Sequence, residues 1–401
     1  MLRRIFSAFH YRDFRLMWSG AFVSSIGTWM QKLAQSWLVL QLSGSAFYLG
    51  LDNFLGEIPI FLLALFAGVA ADRIDRRRLL VASQFVQMTS AFALAALFAL
   101  GHARVWHILS LSFIVGTAQA FGAPAYQSLI PSLVPRDHLP NAIAMNSIQF
   151  NLARVIGPVI GGLALTHLGA AWCFGLNGLS YVAVITSLVL IQVRFIPPPS
   201  GESVMDSMKQ GLAFIRGRPG MLPLVLVSFV CTFLGIPILV FLPVFARDVF
   251  GGDAATYTIL LSTEAAGAIT GALLVAARGR RPHLGRDALV GLILLGLFEA
   301  LFAFSDDFRL SLLFVFFGGM ALIACFAMLS SLVQLIATDE MRGRVMSLYN
   351  IAFRGGMPIG SLVAGALTPV FGIAAVVGSC GILLACLAAY LLVFHRRLAV
   401  L

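Results

Sequence analysis

The sequence predicts an all-α membrane protein of about twelve helical spans, arranged as two related six-helix bundles. Three observations carry that reading. Of 401 residues, 60% are hydrophobic and only 11% are charged, where a soluble domain carries about a quarter. Apolar segments of bilayer length, ~20 residues, recur along the chain. The second half also repeats features of the first.

The opening stretch MLRRIFSAFHYRDFRLMW is basic and aromatic. Arg12, Asp13 and Arg15 interrupt what would be the apolar core of a secretory leader, and no small-residue cleavage site follows. Residues 1–14 therefore read as an interfacial cytoplasmic segment leading into span 1. Spans 1 to 6 are expected near 15–41, 46–71, 79–100, 106–130, 141–167 and 171–193. A polar stretch over 194–220 then breaks the pattern. It holds PPPSGES followed by SVMDSMKQGLAFIRGRP, which suits a short amphipathic interfacial helix. Spans 7 to 12 follow near 221–246, 255–277, 287–304, 309–336, 343–369 and 372–394. The domain plan is a bundle over 1–193, a linker over 194–220 and a bundle over 221–401.

The formal net charge is +10. In a soluble protein that balance would point to nucleic acid; in a membrane chain it reports orientation, because Lys and Arg collect on cytoplasmic loops. With a cytoplasmic N-terminus, the outside turns hold only Arg104, Arg247 and Arg309, and three basic residues fall within spans: Lys32, Arg154 and Arg354. The rest of the 27 Lys and Arg lie in inside segments. This bias supports an even number of spans, both termini in the cytoplasm, and no nucleic-acid partner.

The halves echo each other. Span 5 reads ARVIGPVIGG and span 11 reads FRGGMPIGS, so Arg154 precedes Pro158 as Arg354 precedes Pro358. Spans 2 and 8 each carry a mid-span Glu, Glu57 and Glu264, and end in Val-Ala-Ala before a basic loop. Repeated bundles of this kind are a transporter architecture, with the site at the repeat interface.

The loop after span 2, GVAADRIDRR, resembles the G-x-x-x-D-R-x-G-R-R motif of the major facilitator superfamily, with Gly68, Asp72, Arg73, Arg76 and Arg77 matching and Asp75 standing where the family has Gly. The resemblance implies a latch between the halves, with Asp72 meeting the positive N-terminal end of span 11 near Arg342–Arg344. Read without the resemblance, the loop is an ordinary basic cytoplasmic turn. Gly157-Pro158-x-x-Gly161-Gly162 is similar to the superfamily's export-associated G-P-x-x-G-G motif, although Gln149 replaces a Gly eight residues earlier. Its small residues also suit close helix packing of any kind. YRDFRLMWSGAFVSSIGTWMQKLAQSWLVLQLSGSAFYLG, NLARVIGPVIGG and DEMRGRVMSLY resemble the enterobactin-exporter-like and macrolide-efflux-like branch of the superfamily. That branch implies the major facilitator fold and proton-coupled export of small hydrophobic or amphipathic molecules.

Charges inside a bilayer cost roughly 2.5–3.5 kcal/mol each at a helix centre on insertion scales, so they face a cavity or a partner. At ~1.5 Å per residue, Lys32 and Glu57 sit at heights within about 5 Å of each other, and an ion pair between them is feasible. Glu57, then Asp52 and Glu264, are the candidate proton carriers, with Lys32 and Arg154 as the cations that tune them. A static pair holding spans 1 and 2 in register is the alternative. Ser24, Thr28, Gln31 and Gln35 recur at helical spacing on span 1, a stripe that suits either a substrate cavity or interhelical hydrogen bonds. Asn146, Gln149 and Arg354 are further cavity candidates, and Trp29, Trp37, Phe54, Phe150 and Phe233 could add an aromatic lining, although with 33 Phe in the chain no single one is marked out.

No phosphate-binding Walker loop, Ser-His-Asp arrangement or metal-ligand spacing occurs. Cys173, Cys231, Cys325, Cys380 and Cys386 all fall in apolar stretches and read as core residues. An enzyme, a cofactor and a metal site are therefore not expected. The leading expectation is a monomeric exporter in a bacterial inner membrane, moving a small organic molecule against protons. A lipid flippase, an uptake permease and a non-transporting sensor remain open on the same fold.

Overall fold

The computed structural model describes residues 6–192, 204–278 and 283–394; the side chains at 65, 69, 71–73, 204 and 278 lie outside that set. The regular structure in these residues is helical. In the first half, α1 is Arg12–Ser43, α2 Ala46–Arg73, α3 Arg76–Ala99, α4 Val105–Leu129, α5 Leu139–His167 and α6 Ala170–Leu190. The second half holds α7 Val204–Gly217, α8 Met221–Gly235, α9 Pro237–Val244, α10 Ala254–Arg278, α11 Leu284–Ala303, α12 Phe308–Ile336, α13 Arg342–Phe371 and α14 Ile373–Phe394.

Among the described residues, ten helical stretches are long and apolar enough to cross a membrane. Two other long helices fall outside that set because of their polarity. α1 carries Arg12, Asp13, Arg15 and Lys32 beside its Ser, Thr and Gln stripe, and α11 carries Arg286, Asp287 and Glu299. Tight connections at Gly44, Gly101, Gly169 and Gly372 all use positive φ, which glycine adopts without the Cβ clash of other residues. Asp75 and Asp307 cap α3 and α12 by accepting from the backbone N–H of Arg77 and Leu310, both at 2.9 Å.

Span 7 differs from the continuous helix expected over 221–246. α8 stops at Gly235, α9 starts at Pro237, and a π-helical turn, Phe245–Val249, follows. Pro237 lacks the N–H that would continue the ladder.

The chain separates into two compact units, residues 1–43 with 55–201 and residues 44–54 with 202–401. The start of α2 thus groups with the second unit. There Asn53 donates to the Ser361 hydroxyl at 3.1 Å, and Gly50 lies against the Ser361 carbonyl with no room for a Cβ.

Within each unit the same pairs of helices pack. In the first, α1 packs on α5 and α6, and α3 on α4 and α6; in the second, α8 packs on α13, and α11 on α12 and α14. The repeat visible in the sequence is thus a repeat of packing. Buried apolar side chains such as Met17, Leu80 and Leu188 fill the first unit, and Leu292, Leu329 and Val345 the second. The amphipathic α7 lies along α13, where Arg344 donates to Gln210 at 2.6 Å and Gly211 meets Leu348.

Candidate functional site

In the first unit, the stripe on α1 is tied to its neighbours. Thr28 donates to the Ser24 carbonyl at 2.9 Å, and its hydroxyl lies 3.3 Å from that of Tyr181. Tyr181 in turn donates to Gln87 at 3.2 Å. Asn177 donates to Gln31 at 2.6 Å, and Gln35 to Ser112 at 2.9 Å. One row of four residues therefore connects α1 to α3, α4 and α6. Gln149 is buried and donates to the Ala21 carbonyl at 3.1 Å and to Ser25 at 2.7 Å. Asn146 accepts from Tyr126 at 2.5 Å. In a bilayer such bonds average roughly 0.6 kcal/mol each, so their sum holds register as much as it stabilises.

Beside this network sits a cluster that the sequence named only in parts. The Trp29 indole has the Lys32 ammonium 5.5 Å from its centroid and the Arg154 guanidinium 5.8 Å from it. Phe150 meets the same ring edge-on at 5.9 Å. Both cations are within cation–π range. Helical spacing explains each half of the arrangement: Lys32 is three residues after Trp29 on α1, and Arg154 four after Phe150 on α5. The two helices meet because α5 presents Gly157 and Gly161 to Trp29 and Met30, with no space for a side chain between them. Lys32 and Phe150 are exposed, so the cluster is accessible. Among the described residues no ion pair joins Lys32 to Glu57, because the ammonium turns toward the indole instead. Glu57 is half-buried and Asp52 buried. An apolar surface flanked by two positive charges can receive an aromatic or apolar molecule that carries an acidic group.

The basic loop is anchored. Arg76 donates to the Ser128 carbonyl at 3.1 Å and Arg77 to the Val189 carbonyl at 2.6 Å, so each cation meets the C-terminal end of a helix where carbonyls lack partners. Asp75, the departure from the family motif, is the α3 N-cap, and its φ of −53° needs no glycine. Gly68 lies on α2 with open space around it. The side chains of Asp72 and Arg73 are outside the described residues. Of the G-P-x-x-G-G motif, Pro158 stays inside the helix, and Gly157, Pro158, Gly161 and Gly162 are all buried.

In the second unit, Glu264 on α10 is buried and Arg354 on α13 is exposed. Glu299, to which the sequence reading gave no role, is fully buried on α11. An acid in the apolar stretch 288–304, well past Asp287 at the start of the helix, was the available signal.

A family model described as transmembrane secretion effector matches residues 4–399. The chain belongs to this family of the major facilitator superfamily. As a transmembrane secretion effector it is a multi-pass membrane transporter and not an enzyme. It is 24% identical over 399 residues to the staphyloferrin A transporter of Staphylococcus aureus, covering 96% of each chain. Over 371 residues it is 24% identical to macrolide efflux protein A of Streptococcus pyogenes, covering 88% of each. Over 365 residues it is 26% identical to an enterobactin exporter of Escherichia coli, covering 88% of this chain and 85% of the exporter. Among solved structures, a bacterial homologue of the human lysosomal transporter Spinster, inward-facing and unoccupied, matches with a TM-score of 0.74 at 15% identity, covering 96% and 97% of the chains. A peptide transporter of the POT type matches with a TM-score of 0.76 at 12% identity, covering 97% and 95%. These likenesses fix the major facilitator fold.

Proposed function

We propose that this transmembrane secretion effector is a secondary exporter that moves a small amphipathic organic molecule out of the cell in exchange for protons, by alternating access. All twelve long hydrophobic stretches cross the bilayer in this reading, α1 and α11 included, with both termini in the cytoplasm as the arginine distribution requires. The observation that carries the substrate side is the Trp29–Lys32–Phe150–Arg154 cluster. Its aromatic face and paired cations suit an acidic, partly apolar cargo, and relatives named as a staphyloferrin A transporter and an enterobactin exporter make an iron-free siderophore the first cargo to test. Macrolides, named in another relative, are the uncharged-to-cationic comparison. On the proton side the candidates are Glu57, Asp52 and Glu264, and the Asp72 loop serves as the latch.

The test uses purified protein in proteoliposomes with an imposed pH gradient and two labelled probes, an iron-free siderophore and a macrolide. Gradient-dependent movement of either probe supports export by antiport. Lys32→Ala with Arg154→Ala should reduce siderophore transport about thirtyfold, as loss of ~1 kcal/mol of cation–π attraction from each side implies, with less effect on the macrolide. No probe movement under any gradient, or lipid scrambling alone, would refute the reading.

A further inference from the structure

Glu299 stands apart from every other acid in the described residues. Its side chain is fully buried at 0% exposure, and neither carboxyl oxygen has a hydrogen-bond partner among the described residues. It lines a small cavity together with Glu264, itself 1% exposed, and the remaining wall is apolar, with Leu239, Leu295, Val315 and Leu322 prominent. Two acidic residues therefore border one apolar cavity inside the second bundle.

The packing holds Glu299 in place. A Cβ at Gly296 would collide with the Gly381 carbonyl, and one at Gly381 would come within 3.1 Å of the Glu299 Cβ, so α11 and α14 are locked backbone to backbone beside the acid. On the other side a Cβ at Gly319 would meet the Glu264 carbonyl, which brings α12 against α10. The titratable groups around Glu299 are Glu264 from α10, Cys231 from α8 and Cys380 from α14, with Cys325 of α12 next to Cys231. A charged carboxylate is costly in such surroundings, whereas the neutral acid is not.

A third wall of the cavity is formed by Ile238 and Leu239, immediately after the break between α8 and α9 at Pro237. The interrupted helix gives the cavity a wall that can move without unmaking a continuous ladder.

We infer that Glu299, with Glu264 on the wall of the same cavity, forms a proton-binding site inside the second bundle, and that Glu299 holds the proton the exporter exchanges for its cargo. The inference rests on the antiport reading. One proton enters from the outside aqueous phase, binds the Glu299 carboxylate, and leaves from it to the inside aqueous phase. No bond other than O–H forms or breaks. The proton site is then in the second unit and the aromatic-cationic cluster in the first, so cargo and proton do not compete for the same atoms.

The test has two arms. In the first, infrared difference spectra of the full chain in lipid are recorded between low and high pH with no cargo present. The wild type should show a protonated-carboxyl C=O band typical of an apolar site. Glu299→Gln should lose that band, Glu299→Asp should keep it with a shift, and Glu340→Gln, at an exposed acid with no part in the site, should leave it unchanged. A band that survives intact in Glu299→Gln, or no such band in the wild type, overturns the assignment regardless of what the protein transports. In the second arm, the siderophore and macrolide probes are followed in proteoliposomes. Glu299→Gln should lose pH-gradient-driven accumulation at least tenfold yet retain equilibrium exchange of labelled for unlabelled probe, with Glu299→Asp restoring part of the driven flux. Retained driven flux in Glu299→Gln, or loss of exchange in Glu299→Asp as well as Glu299→Gln, overturns the coupling role. If the wild type moves probe without responding to the gradient, the antiport reading fails and the coupling role fails with it, while the infrared arm still reports whether Glu299 binds a proton.

Discussion

Replacing Gly157 by Ala should destabilise the protein although Ala is the better helix former. A Cβ at Gly157 would lie 2.5 Å from the Trp29 Cβ and 2.8 Å from the Ile26 carbonyl oxygen, both fixed to the α1 backbone. Neither atom can swing aside, so α1 and α5 must separate. Overpacking of this kind costs roughly 1–3 kcal/mol, and the backbone contacts put Gly157 at the upper end. The helix-propensity gain of about 1 kcal/mol offsets only part of that, leaving a net loss of about 2 kcal/mol. Gly161→Ala is milder, because its nearest atoms, Met30 Cα, carbonyl oxygen and Cγ, sit at 3.0–3.1 Å and need give only a few tenths of an ångström; a net change of about 0–1 kcal/mol follows. Gly175→Ala is the control, since its nearest atom is the Ala95 Cβ at 3.9 Å, ordinary contact. It should be neutral or slightly stabilising. The assay is the thermal unfolding midpoint of the three variants in one detergent at one scan rate, read as a ranking because membrane proteins commonly unfold irreversibly. Gly157→Ala should unfold lowest and Gly175→Ala at or above the wild type. Because the α1–α5 contact also joins Trp29 to Phe150 and Arg154, Gly157→Ala should weaken siderophore transport as well. Were Gly157→Ala to unfold with Gly175→Ala, the close contact of α1 and α5 would be wrong, and the cluster built on it would fall.

Two more substitutions test features of the first unit. Asp75→Ala removes the α3 N-cap and should cost about 1 kcal/mol, while Asp75→Gly, the residue of the superfamily motif, should cost only a few tenths; equal unfolding midpoints for the two variants would show that the cap contributes nothing. Asn177→Leu leaves the Gln31 side-chain oxygen without its 2.6 Å donor and should cost about 1–2 kcal/mol, seen as a lowered unfolding midpoint; an unchanged midpoint would mean that the network between α1 and α6 is not held by this bond.

The fold was legible because a chain with so few charges leaves backbone groups only one way to be satisfied in lipid, within helices. The positive-φ glycines at 44, 101, 169 and 372 closed the connections near where apolar runs ended. The break in span 7 was not legible. Proline is tolerated within spans, and Pro59, Pro124, Pro158 and Pro358 all remain inside helices here, so Pro237 looked no different until Gly235 beside it proved to end α8. At the candidate site the α1 stripe was visible from spacing, but its partners Ser112, Asn177 and Tyr181 lie 77 to 153 residues away, and no local pattern selects them. The Lys32–Glu57 pairing illustrates the same limit of one-dimensional reasoning. Rise per residue gives two side chains a common height, but not the rotation that aims them at each other, and Lys32 is rotated toward Trp29.

The two units share a scaffold and differ in chemistry, and that difference bears on how an exporter of this kind can work. In the first unit, the α1, α3 and α6 faces are joined by neutral side chains, with Gln87, Tyr181, Thr28 and Asn177 finding partners in one another, and α3 carries no acid at all. In the second, α11 stands in the place that α3 holds in the first, packing on α12 and α14 as α3 packs on α4 and α6, and it carries Glu299 with no hydrogen-bond partner among the described residues. A satisfied neutral network has one low-energy arrangement whatever the pH, so it favours a rigid platform for the aromatic-cationic cluster beside it. A buried carboxyl in an apolar cavity has two, charged and neutral, which demand different surroundings. If Glu299 is the proton site, as inferred, a change in its occupancy acts on the helices packed around it, α11, α12 and α14, and α3, the counterpart of α11 in the first unit, offers no corresponding acid.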